Sequence, residues 1–211
     1  MKELISIKTF INDDIFNDVY LSGIIQKPNK NDIYYLNGEY FISTKIKTIK
    51  NLYLPICLST KFSFDDYKNI VFLKGKISNR FYNFVGKNNK KNRNVKNYIF
   101  INNLIIGNRQ HENINQVYLK GKLIKKNKLI NKNNHCMIKS IILINNNSNK
   151  RETIPVLFYD KEALYINSLD INDEVNIIGE IKPDFYDSNK FIIKNHKTVM
   201  TKNWSDVIAK Q

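Results

Sequence analysis

Asn17-Asp18-Val19-Tyr20-Leu21-Ser22-Gly23 recurs 98 residues later as Asn115-Gln116-Val117-Tyr118-Leu119-Lys120-Gly121, with five of seven positions identical. The order continues outward from there. Leu54-Pro55-Ile56 answers Ile154-Pro155-Val156, and Leu73-Lys74-Gly75-Lys76-Ile77 answers Ile177-Ile178-Gly179-Glu180-Ile181. Phe81-Tyr82 and Phe185-Tyr186 follow the second glycine at equal distance, and Tyr98-Ile99-Phe100-Ile101 answers Lys190-Phe191-Ile192-Ile193. Matches kept in one order mark two copies of one unit. The 211 residues suit two domains of about 100 residues, each able to bury its own core. The expected division is 1–109 and 110–211.

Each copy reads as strands, because β-branched and aromatic residues fill short runs separated by Asn, Lys and Gly. In the second copy the runs are Val117–Ile124, Cys136–Ile144, Thr153–Tyr159, Glu174–Ile181 and Lys190–Met200. Between the third and fourth, Asp160 can cap a short helix carrying Ala163, Leu164 and Tyr165. In the first copy the corresponding connection, Ser59 to Asn69, is a poorer helix with two clustered aspartates, Asp65 and Asp66. Gly23, Gly121, Gly75 and Gly179 sit where a short sheet must bend to close. The order β-β-β-α-β-β with a curled five-stranded sheet is that of the OB barrel. The expected fold class is therefore all-β, with two tandem five-stranded OB barrels, each with a short helix between strands three and four. Other small barrels share parts of this pattern.

Charge narrows the partner. There are 34 Lys and Arg against 19 Asp and Glu, a formal net charge of +15. Up to Arg109 the balance is 18 basic to 8 acidic residues, and beyond it 16 to 11, so the first copy is the more basic. Such a chain favours polyanions. AT-rich coding DNA also yields an Asn-, Lys- and Ile-heavy composition, and net charge speaks to non-specific binding, not to fold. Cys57 and Cys136 both lie in apolar runs and are expected as buried free thiols in a reducing compartment. No pair among His111, His135 and His196 shares a metal-ligand spacing with either cysteine, so neither a metal site nor a cofactor is expected. Residues 1–17 lack the apolar block of a secretory signal, and no run of about 18 apolar residues occurs, so a soluble, cytoplasmic protein is expected.

Val117-Tyr118-Leu119-Lys120-Gly121-Lys122-Leu123 resembles the opening strand of bacterial single-stranded DNA-binding proteins. Pro155-Val156-Leu157-Phe158 followed by Lys161-Glu162-Ala163 is similar to that family's third strand running into its helix. Asp173 to Ile181, closed by Tyr186, is similar to its fourth strand. The resemblance covers Asn115 to about Met200, and extends to Asn17–Gly107 through the repeat. It implies non-catalytic binding of single-stranded DNA, in replication, repair, recombination or mobile-element maintenance, and it places Phe158 at the family's base-stacking position. Leu58 stands at the equivalent place in the first copy, so that copy is expected to stack bases differently or to serve as a scaffold. At the C-terminus Asn203 to Gln211 stands where the family has an acidic tail, which points to a specialised relative such as a plasmid or phage protein. Two units per chain resemble the family members that dimerise, so a homodimer with four barrels is expected.

Single-strand binding needs a basic groove for phosphates and aromatic faces for bases. In OB barrels the loops between strands one and two and between four and five clamp the strand. Lys87, Lys90, Lys91, Arg93 and Lys96 place five cations in ten residues between strands four and five of the first copy. In the second copy Lys125, Lys126, Lys128 and Lys132 lie between strands one and two, after Lys120 and Lys122 on the first strand. Any single lysine here is also what a solvated loop carries. The expected stackers are Phe158, Tyr186, Tyr82, Tyr98 and Phe84, whereas Phe100 and Phe191 are expected in the core. Tyr20 and Tyr118 suit either role. No Ser-His-Asp arrangement, phosphate loop or His-Glu zinc motif occurs. Stacking and phosphate contacts do not separate RNA from DNA, and an adaptor that holds a protein partner stands as an alternative from another class.

Overall fold

The computed structural model describes residues 17–28, 33–36, 39–61, 70–85, 91–106, 113–145, 151–184 and 190–199. The helix expected before Asn69, and the tail from Asn203, lie outside the described residues or largely so. Along the chain run β1 (Asn17–Ile25), β2 (Ile33–Leu36), β3 (Glu39–Thr48), β4 (Tyr53–Ser59), β5 (Ile70–Val85) and β6 (Lys91–Ile106). They are followed by β7 (Asn115–Lys126), β8 (Ile130–Lys132), β9 (His135–Asn145), β10 (Arg151–Tyr159), α1 (Asp160–Ser168), β11 (Glu174–Pro183) and β12 (Phe191–Val199). The five runs read from the second copy fall on β7, β9, β10, β11 and β12, with β8 added as a short strand against β9.

In the C-terminal half the pairings form a cycle. β7 pairs with β9, β9 with β10, β10 with β12, β12 with β11, and β11 returns to β7. All are antiparallel except β10 with β12. This is a closed five-stranded barrel with one helix between its third and fourth strands, consistent with an OB fold. Val117, Leu119, Ile142, Val156, Phe158, Ile177 and Ile193 fill its interior at 0% exposure. The same cycle of pairings occurs among β1, β3, β4, β6 and β5, again with one parallel pair, β4 with β6.

The halves are joined by an antiparallel ladder between β1 and β7, in which Val19 stands opposite Val117. These two valines occupy the same position of the sequence repeat, so the junction relates the halves as a local two-fold would.

Closure uses the expected glycines. Register shifts between Lys74 and Gly75, and between Ile178 and Gly179, bend β5 and β11 at matching places. A Cβ added to Gly75 would lie 2.4 Å from the Phe100 carbonyl oxygen, and one on Gly179 would lie 2.5 Å from that of Lys194. Only glycine permits that approach of neighbouring backbones.

One expectation about α1 is corrected. Asp160 is not its N-cap: that residue is Tyr159, with no side-chain cap bond, and Asp160 opens the helix itself at a φ of 49°. Its carboxylate turns to β9 instead, accepting from the Cys136 N–H at 3.3 Å and lying 3.1 Å from His135 Nδ1. The helix is held from its other side by Glu162, which accepts from the Thr198 N–H of β12 at 3.1 Å.

Candidate nucleic-acid interface

β10 places alternate residues on opposite faces. Ile154, Val156 and Phe158 point into the barrel and are 0% exposed, while Thr153, Pro155, Leu157 and Tyr159 face outward and are half-buried. Phe158, the expected base-stacking residue, is therefore a core side chain, and its neighbour Tyr159 holds the outward position. A slip of one residue exchanges the two faces of a strand.

The strands on either side complete an outer face around Tyr159. Met137 of β9 stands opposite Tyr159, and Ile130 of β8 stands opposite Met137. In the adjacent row Leu157 is flanked by Lys139 of β9 and Lys194 of β12. The Lys194 ammonium lies 5.4 Å from the centre of the Tyr159 ring, a cation–π contact that fixes both groups on the surface. Farther along, Lys125 stands opposite Ile141 and Lys122 opposite Leu143, so two expected cations of β7 join the rim of this face. A row of apolar and aromatic groups edged by ammonium groups can take base faces in its middle and phosphates at its margin.

The other expected residues are distributed unevenly. Lys128 is exposed beyond β7, and Lys120 is half-buried opposite Asn176. Lys126 is spoken for: its ammonium donates to the carbonyls of Asn167 and Leu169, the first at 2.6 Å, and so caps the C-terminal end of α1. Tyr98, another expected stacker, is only 6% exposed. Phe100, expected in the core, is half-buried and meets Phe41 edge to face with centroids 5.6 Å apart, whereas Phe191 is in the core.

Tyr82 and Phe84 of β5 stand opposite Asn94 and Asn92, and Lys91, Arg93 and Lys96 follow on β6 opposite Val85, Asn83 and Arg80. One hairpin thus gathers them. Lys87, Lys90 and Tyr186 lie outside the described residues. Lys139, Lys194 and Tyr159 were missed by the sequence reading. Lys194 had no cue, because only the parallel pairing of β10 with β12 brings it to Tyr159.

Tyr20 and Tyr118 pack on each other across the junction at 5.9 Å and 85°. Burial raises the Tyr118 pKa, with Tyr20 adding to it, and the Tyr20 hydroxyl and Asp18 raise that of Lys74, whose ammonium sits over the Tyr20 ring. These contacts give both tyrosines a structural role. Cys57 is buried and Cys136 half-buried, and neither forms a disulfide. Among the described residues no group of three or more His, Cys, Asp or Glu is placed to hold a metal ion.

No protein-family model matches the sequence, and no curated protein matches it. Among solved structures, the wild-type single-stranded DNA-binding protein from Thermus aquaticus aligns with a TM-score of 0.66 over 89% of this chain and 93% of that one, at 14% identity. A deletion mutant of the same Thermus protein gives 0.66 over 89% and 95%, also at 14% identity. The alignment spans both halves of the strand order, and at this identity the likeness is one of fold: the chain shares the architecture of the Thermus aquaticus protein.

Proposed function

We propose that this chain consists of two tandem OB modules, 1–109 and 110–211, that bind single-stranded nucleic acid, DNA in the first place, without catalysing a reaction. The observation that carries the reading is the outer face of β9, β10 and β12, where Tyr159 lies beneath Lys194 and Leu157 is flanked by two lysines. Base stacking on such a ring is sequence-tolerant because every base has a π-face, and the net charge of +15 draws phosphates to it. The fold shared with a protein whose name is single-stranded DNA-binding protein supports the same reading. A setting in replication, recombination or mobile-element maintenance, in the cytoplasm and as a homodimer with four barrels, completes the proposal.

Fluorescence-anisotropy titration with labelled oligo-dT of several lengths, oligo-rU and duplex DNA, each at low and high salt, tests it. Length-dependent binding to oligo-dT over duplex is the expected result. Preference for oligo-rU would move the function to RNA. Equal, salt-erased binding to all three would leave only charge and favour an adaptor role.

A further inference from the structure

The two seams between the modules carry different chemistry. One is closed by hydrogen bonds: the Ser78 hydroxyl donates to the Glu152 carboxylate, the Asn79 side-chain amide donates to the Thr153 carbonyl at 3.1 Å, and Glu152 is only 3% exposed. The repeat that aligns Gly75 with Gly179 and Pro55 with Pro155 sets Lys182 where the first copy has Ser78, and Leu52 where the second has Glu152. The opposite seam, where β11 packs against β4, therefore has a lysine and a leucine in place of a hydroxyl and a carboxylate.

Lys182 is compensated from its own strand. Its ammonium lies 2.9 Å from the carboxylate of Glu180, which is 9% exposed and also faces His196 Nε2 at 3.7 Å. His196 reaches that place because β12 bulges there: Ile178 pairs with Lys197 and Gly179 with Asn195, which leaves His196 between the two pairs. Such a bulge re-aims a side chain at the surface.

The first module meets this group with the tip of its β3–β4 hairpin. The tip is fixed, with the Thr48 N–H donating to the Leu52 carbonyl at 2.9 Å, the Leu52 N–H donating to the Thr48 hydroxyl at 3.2 Å, and Asn51 taking the turn at a φ of 57°. Lys50, exposed at the tip, acts electrostatically on Glu180. Tyr53, exposed at the start of β4, stands opposite Lys47, whose ammonium lies 5.8 Å from the centre of its ring. One corner thus gathers Lys47, Lys50, Lys182 and an imidazole around one carboxylate, beside an open aromatic ring. Three ammonium groups against one carboxylate leave two positive charges. An internal phosphodiester brings a single negative charge, whereas a phosphomonoester brings about 1.5 to 2 at neutral pH.

We propose that this corner, built from both modules, binds a phosphomonoester carried by a nucleoside, in the first place the terminal phosphate of a strand, with Lys50, Lys182 and His196 on the phosphate and Tyr53 on the adjoining base. Glu180, buried beneath them, holds Lys182 and His196 in place. The site rests on the single-strand reading above and adds to it a preference for phosphorylated ends. Around Tyr159 the lysines flank a row of apolar groups, as successive internal phosphates require; here the cations converge on one point.

The test is a competition experiment on the full chain. Oligo-dT of about ten nucleotides, bearing a 5′-phosphate, a 3′-phosphate or hydroxyls at both ends, displaces a labelled hydroxyl-ended strand. A longer hydroxyl-ended strand of equal total charge controls for charge alone. One of the phosphorylated strands is expected to compete about tenfold better than both hydroxyl-ended strands. Lys50→Ala and Tyr53→Ala, both at exposed positions, should each bring that ratio close to one, and Lys50→Arg should keep it. Free dTMP, added at the concentration of the strand, separates the two sources of the phosphate: loss of the preference would make free nucleotides the ligand, and its persistence identifies strand ends. Equal competition by all strands, or a preference that the longer strand matches or that survives either alanine substitution, would overturn the site while leaving single-strand binding intact. Failure of the natural protein to bind any strand would remove the single-strand reading and the strand-end site together.

Discussion

The side chain of Asn115 exchanges two hydrogen bonds with the backbone of Ile181, its amide donating to the Ile181 carbonyl at 2.8 Å and its oxygen accepting from the Ile181 N–H at 2.9 Å. Asn17 and Ile77 repeat the arrangement in the other half, at 2.7 and 2.9 Å. In each half an asparagine at the start of the first strand pins the fourth strand just beyond its bulge. Replacing either by Ala strands a backbone donor and acceptor, so Asn17→Ala and Asn115→Ala should each lower stability by about 1–3 kcal/mol in urea unfolding. The larger loss is expected at Asn17, which is 2% exposed. A null effect at both would show that water replaces the clamp.

Gly179→Ala forces a methyl group to within 2.5 Å of the Lys194 carbonyl oxygen. The strand must shift, and a loss of about 1–3 kcal/mol is expected by thermal or chemical denaturation. Because Lys194 also meets Tyr159, the same change should weaken oligonucleotide binding.

Lys126 sits among the basic residues of the β7–β8 connection, yet its ammonium is engaged at the end of α1. Lys126→Ala should cost about 0.3–1 kcal/mol of stability and leave affinity for oligo-dT unchanged, whereas Lys125→Ala should weaken binding. The reverse pattern in parallel melting and anisotropy experiments would return Lys126 to the binding surface.

Acid should weaken the fold partly through Glu180. Burial opposes its ionisation, but Lys182 at 2.9 Å, His196 at 3.7 Å and Lys50 outweigh burial and hold its pKa below the ordinary 4.5. A depressed carboxylate pKa contributes stability above the unfolded-state value, and that contribution is lost as pH falls through the folded-state value. Glu180→Gln should therefore show a flatter dependence of unfolding free energy on pH below 4.5 than the natural protein. Parallel curves would assign the acid sensitivity elsewhere.

The strand order was legible because the repeat fixes it twice: Val19 and Val117, or Gly75 and Gly179, confirm each other's place. The face of β10 was not. From Ile154 to Tyr159 both parities are apolar, Ile154, Val156 and Phe158 on one and Pro155, Leu157 and Tyr159 on the other, so alternation could not say which set enters the barrel. Only the pairing of β10 with β9 and β12 decides it. Lys139 and Lys194 are single cations inside apolar strands and stand out only once Leu157 is seen between them. Lys126 shows the opposite failure, a lysine in a basic cluster whose partners lie 41 and 43 residues away on the helix end.

Titration of labelled oligo-dT against the natural protein and Tyr159→Ala, side by side by anisotropy, tests the central claim most directly. Binding by the natural protein, weakened by about 1–3 kcal/mol in the variant while its melting stays cooperative, is the predicted result. Equal affinity for both proteins, or no binding by either, would contradict it.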